Sequence, residues 1–515
     1  MRFDAFDIMG PIMIGPSSSH TAGAVRIGLM AGQLCNYNPT EIEVLFHGSL
    51  ASTYSFHKTD VAVIAGVLGM PVDDERIKNS VSIAKERNIH VGFGTINIDG
   101  AHPSTIVIKL KCKDKEYLIR SATIGGGNIL IEEVNGNKAD MNGKQYNLIV
   151  DVSTEDLNEL KKIISEEVSG NFLSGCNKSN NRYFLNVICE DKIDERKIEK
   201  IKNLNGVNDV YYFSPIMSAS NDSLSFFKTV KELVDKSKED DCLISDTVIK
   251  FECTNSNRTE KEVIAEMEKN LTSMKEAINN GSENENLMLG NIFSGNARKM
   301  STFISDKRSI CGVSLSKVIK NALAVMEVNG SMGKVVACPT AGSAGTLPAA
   351  VITIAEINNI EDEKVVKSLF TGAGLGMIIA ENSTISGSVG GCQAECGVAS
   401  AMAAAIITEL FGGTYEQILS SSSLALGNIL GLVCDPVAGT VELPCIQRNV
   451  MAAANAIVSA EMALAGVDSV IPLDEIIGAL DEVGKLMDKS LKDTLGAGIS
   501  NTPTARRLEA DLFKK

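Results

Sequence analysis

The chain has 515 residues, with 49 Lys and Arg against 64 Asp and Glu for a net charge of −15, 12 Cys, 5 His and no Trp. At 44% hydrophobic and 22% charged residues it is composed as a folded globular protein of several domains, not a fibre or a disordered tail. The acidic balance argues against nucleic acid and anionic lipid as main partners, because phosphate binding needs clustered Lys and Arg.

Asp4 and Asp7 beside a single early cation, Arg2, do not make a secretory signal. The longest uncharged run, Val335 to Ala355, contains Pro339 and Pro348 among Gly, Ser and Thr, and is read as buried loop plus helix with no membrane span. The expected compartment is the cytoplasm. There thiols stay reduced, so the 12 cysteines are expected to be core residues or metal ligands and not a disulfide framework.

Residues 1–140 alternate helical and strand signals, an α+β domain. Helices are expected over Val25–Leu34 and Thr59–Leu68. Strands are expected at Ile42–Phe46, Ser104–Lys111, Glu116–Ile124 and Asn128–Glu133, with Gly125-Gly126-Gly127 turning between the last two. Residues 141–221 read as strand Asn147–Val152, helix Glu155–Glu167, strand Tyr183–Cys189, helix Asp194–Lys202 and strand Val207–Phe213. That rhythm is a small ferredoxin-like, ACT-like central module, although its first turn, Val152-Ser153-Thr154-Glu155, lacks the Pro-Gly usual where such modules bind amino acids. Residues 222–515 begin as charged helices and then turn Ala-, Gly- and Ser-rich, a mostly α-helical domain. Val398–Leu410 and Val450–Ala465 are apolar almost all round and are expected to be buried helices.

All five histidines fall within the first 102 residues, whereas Cys338, Cys392, Cys396, Cys434 and Cys445 lie in the last third. Cys392 and Cys445 stand next to Gly391 and Pro444, and Cys434 two residues before Pro436, which packing alone does not explain. Their wide spacing fits no zinc ribbon and suits an iron–sulfur cluster assembled by the fold, with one iron left open. An open iron acts as a Lewis acid, and the reaction then needs a base, which points back to the histidines. Ser17-Ser18-Ser19-His20-Thr21 precedes a helix and reads either as an ordinary cap or as an anion site; His57-Lys58-Thr59-Asp60 enters another, where Asp60 either orients His57 or caps the helix. Thr340, Gly342 and Ser343 in Cys338-Pro339-Thr340-Ala341-Gly342-Ser343-Ala344-Gly345 offer a cradle for a carboxylate.

Together GPSSSHTAGAVRIG, HGSLAST, HKTD and His102-Pro103-Ser104-Thr105, followed by CPTAGSAGTLPAA, TISGSVGGCQAE, CDPVAGTVELPCIQRN and Asn501-Thr502-Pro503-Thr504, resemble the iron–sulfur-dependent L-serine dehydratases of bacteria. The resemblance covers residues 1–140 as the family's β part and residues 222–515 as its α part. It implies conversion of L-serine to pyruvate and ammonia without pyridoxal phosphate. It also implies a 4Fe-4S cluster on Cys392, Cys434 and Cys445, with His57 as base and His20, Ser18, Ser19, Thr21, Thr59 and Asp60 around the substrate, so that catalysis is expected where the first and last domains meet.

Three departures stand out. Cys338 replaces a frequent Ala, Cys396 a small or apolar residue, and Lys58 a usual Gly. The closing Asp511-Leu512-Phe513-Lys514-Lys515 holds no cysteine, so capping of the open iron by the tail is not expected. The competing readings are an L-cysteine desulfidase-like elimination and a non-catalytic, cluster-bearing amino-acid sensor; a homodimer is compatible with the large uncharged helical faces.

Overall fold

The computed structural model of the chain describes residues 3–55, 57–113, 115–153, 157–177, 182–189, 191–217, 226–283 and 288–512. It divides into two units, one of residues 19–220 and one that joins residues 1–18 to residues 221–515.

In residues 19–220, Ile42, Val44 and Phe46 alternate inward from strand β1 (Glu41–Phe46) and are fully buried. β1 pairs in parallel with β2 (His90–Thr95) and antiparallel with β3 (Thr105–Cys112). Strands β4 (Lys115–Gly125), β5 (Asn128–Val134) and β6 (Asn137–Met141) extend the mixed sheet in the order β2-β1-β3-β4-β5-β6. The expected turn at Gly125-Gly126-Gly127 forms with all three glycines at positive φ, a region closed to most side chains.

Helices Gly23–Gln33 and Thr59–Val67 cross so closely that a Cβ on Gly28 would stand 2.3 Å from the Val63 carbonyl oxygen, and one on Gly66 2.0 Å from that of Val25. This backbone contact brings the N-terminal ends of the two helices together.

The central segment follows as β7 (Tyr146–Val152), helix Leu157–Glu167, β8 (Gly170–Asn177), β9 (Arg182–Cys189), helix Glu195–Lys202 and β10 (Val207–Phe213). Its sheet is antiparallel in the order β10-β7-β9-β8, the split β-α-β arrangement anticipated from the sequence. Leu148, Val150, Leu185 and Val187 meet Leu160, Ile164 and Ile201 in one core. The Asn135 side-chain amide donates to the Tyr211 hydroxyl at 3.1 Å, and Lys115 pairs with Asp209 at 2.8 Å, which ties the module to the larger sheet. Thr154 and Glu155 of the first turn lie outside the described residues.

One expectation fails here. Cys35 and Cys112, 77 residues apart, form a disulfide, because strand β3 ends beside the turn that follows helix Gly23–Gln33 and sets the two Cα atoms 5.7 Å apart.

In the other unit, helix Val398–Leu410 is buried from Val398 to Glu409, as its apolar circumference implies. Helices Thr346–Ile357, Asp362–Asn382, Tyr415–Gly427 and Cys445–Leu464 pack around it. Its one buried acid, Glu409, accepts a hydrogen bond from Thr371 (2.6 Å), and burial pushes its pKa up to about 7. The expected helix Val450–Ala465 starts earlier, at Cys445, and is not covered on all sides: Met451 and Val458 are 40% and 50% exposed. Val335–Ala355 is strand, loop and helix, and among the described residues no helix is long and apolar enough to cross a membrane.

Residues 1–18 are built into this unit, although the motifs group them with residues 1–140. Strand Ile12–Ile14 pairs antiparallel with Lys334–Val336. Buried Glu252, reached by Arg258 at 3.3 Å, accepts the Ala5 amide at 3.1 Å.

Candidate active site

His20 sits in a π turn, Ser18–Ala22, that leads into helix Gly23–Gln33, and His57 sits just ahead of helix Thr59–Val67. The glycine crossing therefore brings the two imidazoles together: they stack with centroids 4.5 Å apart and planes 9° from parallel. His20 is 5% and His57 3% exposed. Burial lowers the His20 pKa to about 4, so that ring is neutral near pH 7. The Thr21 hydroxyl donates to the His57 carbonyl at 3.0 Å and locks the two loops. Thr59 is fully buried, and Ser19 is half-buried. The Asp60 carboxylate, in the first turn of its helix, accepts the Val61 amide at 2.9 Å, and burial raises its pKa. Lys58 holds a left-handed conformation (φ 56°), a region that glycine enters at no side-chain cost. Of the other histidines, His47 and His102 accept the Ile98 and Ser104 amides.

The thiols gather in the other unit. Cys392 follows Gly391 at positive φ and caps a second π turn, Gln393–Gly397. Cys434 is pinned by backbone bonds to Leu491 and Asp493, and Cys445 opens its helix directly after Pro444. One donor atom from each of Cys392, Glu395 and Cys434 lies within 4.8 Å of the others. A hydrogen bond with Cys392, then burial, pushes the Cys434 thiol up; burial, then the Cys392 charge, does the same for Cys445 and Cys396. Such thiols ionise only when a cation joins them, so the donor chemistry fits a metal or a metal cluster. Cys338 is a core thiol apart from this group, its Sγ 3.6 Å from the Val336 carbonyl.

Positive charge is supplied by Arg448, three residues after Cys445 and so on the same side of the helix. Its guanidinium lies 3.6 Å from the Cys392 Sγ, donates to the Val433 carbonyl at 2.7 Å and pairs with buried Asp435 at 2.8 Å. Burial opposes the Arg448 charge, yet Cys392 and Asp435 more than offset it and raise its pKa. Asp435 also accepts the Ile499 amide at 2.6 Å, so the closing segment near Asn501-Thr502-Pro503-Thr504 is tied to the cysteine loop.

The loop of Thr340, Gly342 and Ser343 approaches this group through Glu395. The Ser18 hydroxyl accepts the Ala341 amide at 3.3 Å, and the Ser343 hydroxyl donates to the Cys338 carbonyl at 3.2 Å. The carboxylate that the Thr340 hydroxyl meets is the protein's own, Glu395, at 2.9 Å. Asn449, fully buried, bonds the Gly342 and Cys445 carbonyls at 2.7 and 2.9 Å and accepts the Gly345 amide at 3.1 Å, joining cradle to helix. Glu395, Asp435, Arg448 and Asn449 were not singled out from sequence. Their signal was present: charged or amide residues next to a cysteine (Asp435) or three or four positions after one (Glu395, Arg448, Asn449).

Two family models match, Serine dehydratase beta chain over residues 3–134 and Serine dehydratase alpha chain over residues 239–500. A probable L-serine dehydratase alpha chain of Bacillus subtilis is 43% identical over 56% of this chain and 95% of its own length. A probable beta chain from the same organism is 44% identical over 28% of this chain and 66% of its own. An L-serine dehydratase of Streptomyces coelicolor is 28% identical over 97% of this chain and 99% of its own. The class is thus a two-part protein with its beta-type part first. The chain belongs to the serine dehydratase family, with both parts in one polypeptide. The central segment, residues 146–213, lies between the two matched regions.

Proposed function

We propose that the protein is an L-serine dehydratase (L-serine ammonia-lyase), with a 4Fe-4S cluster held by Cys392, Cys434 and Cys445 and no use of pyridoxal phosphate. The observation that carries this reading is the close set of Cys392, Cys434 and Glu395 donor atoms, with the Arg448 guanidinium 3.6 Å from the Cys392 Sγ, in a chain of this family. When bound, the cluster supplies a Lewis-acidic iron that makes the substrate hydroxyl a better leaving group.

The chain's own residues supply the rest. His57 takes the α-proton of serine on its ring, and stacked His20, kept neutral by burial, gives that base an uncharged neighbour. The hydroxyls of Ser18, Ser19, Thr21 and Thr59, together with Asp60 and the Thr340, Gly342 and Ser343 loop, bind and orient the amino acid. Loss of water leaves aminoacrylate, which hydrolyses to pyruvate and ammonia. In this reading residues 1–140 are the β-type part, 222–515 the α-type part, and residues 141–221 an ACT-like module supported by its split β-α-β strand order. The acidic balance and the ligand thiols, which must stay reduced, suit the cytoplasm; the Cys35–Cys112 disulfide is unusual for that compartment.

Anaerobically purified Cys434→Ala is expected to lose both the brown absorbance and pyruvate formation. Serine turnover by metal-free protein would overturn the reading, and faster pyruvate release from cysteine than from serine would move it to a desulfidase.

A further inference from the structure

Glu395 is left over by the reaction just described, yet it sits among the thiols. Its carboxylate and the Sγ atoms of Cys392 and Cys434 fall within 4.8 Å of one another. Two glycines make room for it: a Cβ on Gly387 would stand 2.6 Å from Glu395 Oε2 and 3.4 Å from the Cys434 Sγ, and one on Gly342 would stand 2.9 Å from Oε1. Among the described residues its hydrogen-bonding partner is the Thr340 hydroxyl, on Oε1, and no Lys or Arg pairs with it. The nearby guanidinium of Arg448 is committed to Cys392, Val433 and Asp435. A carboxylate placed against two thiols with no cation of its own is a donor set waiting for a metal ion.

Resting on the cluster reading above, we propose that Glu395 is the oxygen donor to the one iron that Cys392, Cys434 and Cys445 leave without a thiolate. The placement supports it: Glu395 follows Cys392 by three residues, Cys392 standing at the N-cap of the π turn that holds Glu395, so one short stretch of backbone carries both donors. The donor type supports it as well. A carboxylate is hard and readily exchanged at iron, whereas a fourth thiolate would close the position that an elimination needs open to substrate oxygen.

The test uses the full chain reconstituted anaerobically with 57Fe and sulfide, without serine. Mössbauer spectra read the iron sites, and EPR after ferricyanide reads the fourth iron: the oxidant takes one electron and Fe2+ leaves, giving a 3Fe-4S signal. Glu395→Gln is expected to lose the fourth iron about tenfold faster than the unsubstituted chain, and Glu395→Cys about tenfold slower with four thiolate-type irons. Brown variants with unchanged spectra and unchanged iron loss would overturn this inference and leave the cluster reading standing. Loss of all four irons together in both variants would also overturn it, because Glu395 would then support the pocket and not one iron. An unsubstituted chain that takes up no iron would overturn both.

Discussion

In residues 19–220 two imidazoles are brought together by two helices touching through Gly28 and Gly66, and burial lowers the His20 pKa. In the unit of residues 1–18 and 221–515, by contrast, the thiols of Cys392 and Cys434 come together from separate loops beside Glu395, with the Arg448 guanidinium 3.6 Å from the Cys392 Sγ and Asp493 3.9 Å from that of Cys434. The two sites solve opposite problems. Burial alone keeps the His20 ring from gaining charge near neutral pH. A donor set for metal must tolerate several negative charges, which needs a built-in cation and a network to hold it.

Substitutions that act on one site and spare the other test this contrast. His57→Asn is expected to lower kcat by roughly 10²–10⁴-fold with iron content and brown colour unchanged; loss of colour would mean that the two sites are not separable. Arg448→Met removes the partner of a carboxylate that is 2% exposed, and should cost about 3–5 kcal/mol in denaturant unfolding while lowering iron retained after gel filtration.

The pH responses should have opposite signs. His20, depressed from 6.5 to about 4, contributes stability that is present above pH 6.5 and lost as pH falls toward 4. Glu409, raised from 4.5 to about 7, contributes stability that is complete below pH 4.5 and lost as pH rises through 7. Each is of order 3 kcal/mol at most. Melting curves of His20→Asn and Glu409→Gln across pH 4–8 should flatten on the acid and neutral sides respectively. The smallest effect belongs to Lys58→Gly, which relieves a left-handed side chain and should stabilise the chain by about 0.5–1 kcal/mol, read as a small rise in Tm.

The local folding was legible where side-chain period sufficed, as in the helices that became Gly23–Gln33 and Thr59–Val67. β2 and β8 escaped notice because Gly92 and Gly94, and Gly170 and Gly175, blunt the strand signal, and β2 buries no regular alternate face. No local pattern announces that Ile12–Ile14 pairs with Lys334–Val336, since that register depends on a partner more than 300 residues away. At the site, scarcity made the cysteines and histidines conspicuous. Glu395, Arg448 and Asn449 are ordinary residue types, and their spacing from the cysteines becomes telling only beside their distances in the fold.

The placement of residues 1–18 has a topological consequence. The polypeptide starts in one unit, leaves it at Ser18, builds all of residues 19–220, and then returns to the unit it began in. The units are thus interlaced along the chain and not strung one after the other. A single protease cut in the return segment should leave the pieces joined through the β-pairing at Ile12–Ile14, and freeing residues 19–220 as a separate fragment should take a second cut, beside Ser18.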